Sequence, residues 1–136
     1  MSRAILLSIH PKWAEKIYSG EKTIEWRKTY PKTWYWCFKT LVFLYETSPV
    51  KRITGTFVLG GIEGLDLVIN PCLFEHIKRE RIKKGCVDEE SLRKYQGYSE
   101  GVWGWEVENP QKFDQPKTLA DFGLKRAPQS WQYVEV

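Results

Sequence analysis

The stretch Gly20-Glu21-Lys22-Thr23-Ile24-Glu25-Trp26-Arg27 constrains the fold more than any other part of the chain. One periodicity stops there and another begins. Upstream, Trp13 with Ile17 and Ala14 with Tyr18 are spaced i to i+4, which gives a helix over about 11–19 an inner face. Pro11 suits its first position, where a missing N–H costs nothing, and Gly20 suits a left-handed residue at its end. Downstream, Ile24 and Trp26 fall on one face of an extended chain, and Thr23, Glu25 and Arg27 on the other. A strand that buries its isoleucine and tryptophan thus carries a carboxylate and a guanidinium two residues apart, with Lys22 at its mouth. The plain reading is a solvated ion pair worth at most about 1 kcal/mol. The functional reading is a polar cluster facing a cleft.

The remaining pattern is mostly β. Residues 3–9 are almost wholly apolar, as in a strand covered on both sides. Tyr30-Pro31-Lys32-Thr33 reads as a turn, and Trp34–Phe38 as extended chain. Leu41–Tyr45 is the strongest strand signal and ends at Glu46-Thr47-Ser48-Pro49. Residues 51–64 read as a strand, with glycines at 55, 60, 61 and 64 marking bulges or a tightly curved barrel wall, and 51–59 pairs antiparallel with 41–46. Leu73–Gly85 has helical spacing and five basic residues (78, 79, 81, 83, 84) against Glu75 and Glu80. Asp88 caps a second helix, with Val87 placed to staple onto Leu92. Both helices read as an insertion between strands. Val102–Val107 alternates as a strand, Phe113–Leu119 reads as a separate short edge segment broken by Pro116, and a closing strand ends the chain. Five or six strands with peripheral helices predict an α+β fold, a small curved β-barrel, as one domain over 1–136.

Composition narrows the chemistry. No run approaches the roughly 20 apolar residues of a membrane span, and the apolar start is cut off by His10, Pro11 and Lys12, too early for a signal peptide. Three widely spaced cysteines (Cys37, Cys72, Cys86) point to a reduced, cytoplasmic protein. A net charge of +4 permits an anionic partner, and an aromatic share of 15% supplies rings on which bases stack, although ring-filled cores explain most of them. Cys72 and His76 share a helical turn without a second ligand pair, so no metal and no cofactor is expected. There is no Walker loop and no dinucleotide fingerprint. His10 reads as a capping residue. Glu25, Glu46, Glu63 and Glu106 lie in or at the ends of strands, where a barrel can turn one inward.

The segment from Ile5 to Arg27 resembles the N-terminal signature of the ASCH domain, and Gly20-x-Lys22-x-x-Glu25-x-Arg27 matches its GxKxxExR motif at every fixed position. Tyr45–Pro49 and Pro128-Gln129-Ser130-Trp131 are similar to segments of compact, stand-alone members. The resemblance implies the PUA-like fold, in which many domains bind RNA or modified nucleobases, and a role in translation or transcription. One branch that the motif resembles is an amidohydrolase acting on N4-acylated cytidine, where the motif lysine assists a threonine nucleophile and a later glutamate. Lys22 carries over, Glu25 stands in the nucleophile's place, and the later glutamate has only Glu75 and Glu80 in its region. Other members are reported to cleave RNA.

The expectation is therefore an RNA- or nucleobase-binding domain. Lys12, Lys22, Glu25, Arg27, Glu46, Ser130 and Trp131 form the binding set, with Trp131 stacking on the base and Lys12 and the 78–84 helix extending a phosphate track. The alternatives are a hydrolase of a modified nucleoside or a ribonuclease, with Lys22 and Glu25 as its catalytic pair, and a protein-interaction module.

Overall fold

The computed structural model describes residues 3–32, 39–69 and 74–136. Strand β1 (Arg3–Ile9) leads into helix α1 (Pro11–Tyr18) and then strand β2 (Ile24–Arg27). Strands β3 (Thr40–Glu46) and β4 (Arg52–Leu65) follow. Helices α2 (Glu75–Lys84) and α3 (Glu89–Gln96) are inserted before β5 (Val102–Lys117), and β6 (Trp131–Glu135) closes the chain. Among the described residues the strands form one mixed sheet in the order β2-β5-β4-β3-β1-β6. β1 runs parallel to β3, and the other neighbours are antiparallel.

The sheet is strongly curved because its longest ladder is repeatedly bulged. The β4–β5 register shifts between Ile53 and Gly55, Thr56 and Val58, and Leu59 and Ile62, the glycine-rich positions of β4. β5 also runs unbroken to Lys117, so the separate edge segment expected at Phe113–Leu119 is not observed. The bulges explain the difference. Asn109 takes a left-handed φ of 47° just before Pro110, and the six residues of β5 from Lys112 to Lys117 face the three of β4 from Ile53 to Gly55. A proline that cannot donate to a ladder is tolerated at such places.

Packing on both faces follows the sequence pattern. Ile5, Leu7, Ile9, Val42, Leu44, Phe57 and Trp105 form a core with Ala14 and Ile17 of α1. Ala4, Leu6, Phe43, Tyr45, Ile53 and Val134 form another beneath Leu119, Phe122 and Leu124. A third joins Ile24 and Trp26 to Leu65, Leu67, Val102, Ile82 of α2 and Leu92 of α3. The inserted helices are therefore docked onto the inner residues of β2. Trp34–Phe38, read as extended, and the cysteines Cys37 and Cys72 lie outside the described residues.

The hydrogen-bonded ladder is open, with β2 and β6 at its ends. Side chains bridge the gap. Trp131 Nε1 donates to Thr29 Oγ1 at 2.8 Å, Trp105 Nε1 donates to the Thr29 carbonyl at 3.1 Å, and the two indoles meet edge to face at 5.5 Å. Arg27 spans the same seam.

Candidate functional site

The site begins with how α1 ends. His10 caps the helix by accepting the Lys12 N–H on Nδ1 at 3.2 Å, and Gly20 has the left-handed φ of 87° expected of it. The next residues, Glu21 and Thr23, point to solvent while Lys22 turns inward and is only 3% exposed. Its ammonium donates to the Gly85 carbonyl and sits 3.1 Å from Glu25 Oε1. Glu25 Oε2 accepts from Arg27 Nε at 2.9 Å and Nη2 at 2.7 Å, a forked pair. Arg27 Nη2 also donates to the Ser8 carbonyl at 2.7 Å and Nη1 to Ser130 Oγ at 3.2 Å. The polar face of β2 is thus a buried Lys–Glu–Arg cluster, far from the solvated pair that residue types alone suggest.

The charges are consistent with this burial. Burial pushes the Glu25 carboxyl up, but the adjacent Arg27 and Lys22 cations outweigh it and hold the group below the ordinary carboxylate value. Glu25 is ionised at neutral pH. Three of its four lone-pair sites are occupied, as are two of three Lys22 protons and four of five Arg27 N–H groups. One acceptor and two donors remain for a ligand.

Above the cluster lies a cavity of about 270 Å³, lined by Trp13, Trp26 and Tyr95 with Lys22, Glu25, Arg27, Val87 just ahead of α3, and Ser91 and Leu92 of α3. It falls just under the ~300–1,000 Å³ of ordinary small-molecule sites. Trp13 carries Lys22 Nζ 5.1 Å and Lys12 Nζ 4.9 Å from its ring centroid, and Lys28 Nζ lies 5.1 Å from the Tyr95 ring. Burial pushes the Tyr95 hydroxyl up, so it stays a neutral phenol.

The sequence-expected residues divide. Lys22, Glu25 and Arg27 converge on the cavity, and Lys12 lies at its edge over Trp13. Ser130 holds Arg27 from behind. Trp131 does not line the cavity: its indole is committed to Thr29 and to the Trp105 edge, at the seam. Glu46 is likewise elsewhere, at the end of β3 opposite Arg52. Thr23 is exposed and lies in a neighbouring groove rather than beside the Lys22 ammonium. The aromatic walls come instead from Trp13 and Trp26, which helix and strand periodicity assign to the core, and from Tyr95. The spacing of Ser91 and Tyr95, one turn apart on α3, is the sequence signal that places them on one face. Among the described residues no group of three or more His, Cys, Asp or Glu could hold a metal ion, and no helix is long and apolar enough to cross a membrane.

A curved, mixed six-stranded α+β sheet with an inserted helical wall is the PUA-like class of fold. The ASCH domain profile matches residues 7–117, and the chain belongs to the ASCH domain family. It superposes on the crystal structure of ASCH from Zymomonas mobilis with a TM-score of 0.77 at 23% identity, over 97% of this chain and 87% of that one. The N-terminal domain of Staphylothermus marinus McrB matches at a TM-score of 0.51 and 8% identity, over 87% of this chain and 77% of that one. The large ribosomal subunit protein uL22 of two Ureaplasma parvum serovar 3 strains is 27% identical over 98% of this chain. The chain spans 40% of the length of those curated relatives.

Proposed function

We propose that this ASCH domain binds RNA by taking an unstacked base into the Trp13–Trp26–Tyr95 cavity. The observation that carries the reading is the ionised Glu25, buried between Lys22 and Arg27 beneath aromatic walls. A base has flat faces for the rings and an edge of donors and acceptors for the one acceptor and two donors left open. ASCH domains are a PUA-like family often linked to RNA, and the ribosomal name of the uL22 relatives supports the same class of partner. A hydrolytic role for Glu25 fits less well. A carboxylate held below its ordinary proton affinity and already accepting three hydrogen bonds is a weak general base.

The test is fluorescence anisotropy of a labelled single-stranded RNA with the wild type and Tyr95→Ala, whose side chain is on the exposed wall. Loss of one stacking partner should weaken binding by about 1–3 kcal/mol. Equal affinity for both proteins, with the variant shown folded by its unfolding curve, would sink the proposal.

A further inference from the structure

A second groove of about 560 Å³ lies behind the cavity, lined by Lys16, Glu21, Thr23, Glu80, Lys83, Lys84 and Cys86. Two crossing segments separate it from the base cavity. On one, Lys22 turns into the cavity while Glu21 and Thr23 face the groove; on the other, Val87 lines the cavity while Lys84 and Cys86 line the groove. The segments are tied by the Thr23 N–H to Lys84 carbonyl bond at 2.9 Å and by Lys22 on the Gly85 carbonyl. Along α1, Trp13 of the cavity and Lys16 of the groove are three residues apart, a rise of about 4.5 Å. The two sites are therefore neighbours on either side of these segments.

Charge is unevenly neutralised along α2. Lys78 pairs with Glu75 and Glu89, Arg79 with Glu75, and Arg81 with Glu63. Lys83 and Lys84, both exposed, have no carboxylate within ion-pair distance among the described residues. The helix that carries most of the chain's excess charge therefore presents its cations without a salt bridge at the C-terminal end, in this groove, where Glu21 and Glu80 also stand and Lys84 reaches toward Glu106 on its other side. Two lysines at a helix C-terminus also complement its dipole, which accounts for their stability there but not for the groove beside the cavity.

We infer that the Lys83–Lys84 groove holds the phosphodiester next to the base in the cavity, so that the ligand is a strand rather than a free nucleoside. The inference rests on the base-binding reading above. It is tested with Lys83→Ala/Lys84→Ala, and with Lys117→Ala/Lys125→Ala as an equal change of net charge elsewhere; Lys117 lies by Phe43 and Phe122, on the opposite face of the sheet. The probes are a labelled mixed-sequence single-stranded RNA of about eight nucleotides and each of the common nucleosides.

The groove variant should lose RNA affinity and lower the salt slope by about 0.7, the value for one phosphate on a single strand, while nucleoside binding stays unchanged. The wild type's advantage then shrinks about 2.6-fold between ~50 and ~200 mM salt. If nucleosides bind and the groove variant keeps the wild-type RNA affinity and slope, the inference is overturned and the base-binding reading stands. An equal loss in the Lys117/Lys125 variant also overturns it, since net charge alone then explains the effect. If the wild type binds neither probe, the base-binding reading fails and the inference fails with it.

Discussion

Replacing Glu25 by glutamine tests the central claim, that the Lys22–Glu25–Arg27 cluster is a buried electrostatic unit. The substitution keeps the shape and removes the charge. Oε1 faces Lys22 at 3.1 Å, and Oε2 takes both Arg27 bonds at 2.7 and 2.9 Å. An amide can satisfy only one side, so its NH₂ must meet either the ammonium or the guanidinium, donor against donor. Lys22 is 3% and Arg27 12% exposed, which leaves little water to relieve them. Breaking a buried pair by removing one partner costs about 3–5 kcal/mol. Against a total stability of roughly 5–15 kcal/mol for a single domain, the variant should still fold but melt roughly 10–15 °C lower. Urea unfolding measures the loss. The double variant Lys22→Met/Glu25→Gln supplies the internal control: one of the stranded cations is gone, so it should be less destabilised than the two single costs added, by at least about 1 kcal/mol. A Glu25→Gln cost below about 1 kcal/mol, the range of exposed pairs, together with additive behaviour in the cycle, would refute the reasoning.

Tyr18 offers a pH test on the other side of α1. Its hydroxyl hydrogen-bonds Thr54 Oγ1 at 2.7 Å, and burial pushes its pKa up to about 12. Since the folded value lies above the unfolded one, near 10, stability held below pH 10 should be lost as pH rises toward 12, and Tyr18→Phe should abolish that step in alkaline unfolding curves. Gly85→Ala probes the close approach of α2 to β2, because an added Cβ would stand 2.5 Å from Cδ1 and Nε1 of Trp26. With φ at −89° the backbone tolerates alanine, so the expected loss of about 1–3 kcal/mol is steric. Unchanged thermal unfolding would show that Trp26 has room to move.

Local patterns made much of this legible. The His10 and Asp88 caps, the Gly20 stop, the antiparallel β3–β4 pair and the insertion of two helices before β5 each follow from a few neighbouring residues. Alternation put Glu25 and Arg27 on one face of β2, and the motif placed Lys22 with them. What local patterns could not carry was the depth of that face. It is buried because Gly85 closes on Lys22 while Ser8 and Ser130, from the two ends of the chain, close on Arg27, and no periodicity within β2 encodes those partners. The same blindness explains Trp131. A tryptophan at the start of a closing edge strand has the composition of a stacking platform, yet the curvature set by the β4–β5 bulges brings it to the β2–β6 seam instead. Gly85 was readable as a helix stop, but the left-handed residue there is Cys86, with φ 59°; the glycine serves the contact with Trp26.

Arg27 links the site to the fold. Four of its five N–H groups are used, two on Glu25 and two across the open seam on Ser8 and Ser130. Ser8 in turn donates to the Pro128 carbonyl at 2.7 Å, and its backbone N–H donates to the Ser130 carbonyl at 2.9 Å. The group that orients the cavity's carboxylate is therefore also a fastener between the first strand, the second and the C-terminal segment. A guanidinium suits both tasks because its planar fork fixes several acceptors at once, which a lysine's single ammonium cannot. The carboxylate inherits the rigidity of this side-chain-bridged seam, so under the proposed reading a ligand meets an acceptor already in place and gives up little of its binding energy to ordering it. The wall across the cavity is fastened separately: Tyr95 and Ser91 stand on an eight-residue helix held by Leu92 and Val87 and by the buried Gln96, which accepts the Leu67 N–H at 2.8 Å and donates to Asp66 at 2.8 Å. Under the proposed reading, the polar floor and two of the three aromatic walls rest on α1 and β2 and only Tyr95 on the insertion, so changes in α3 should alter which ligand fits while leaving the charge at the floor of the cavity intact.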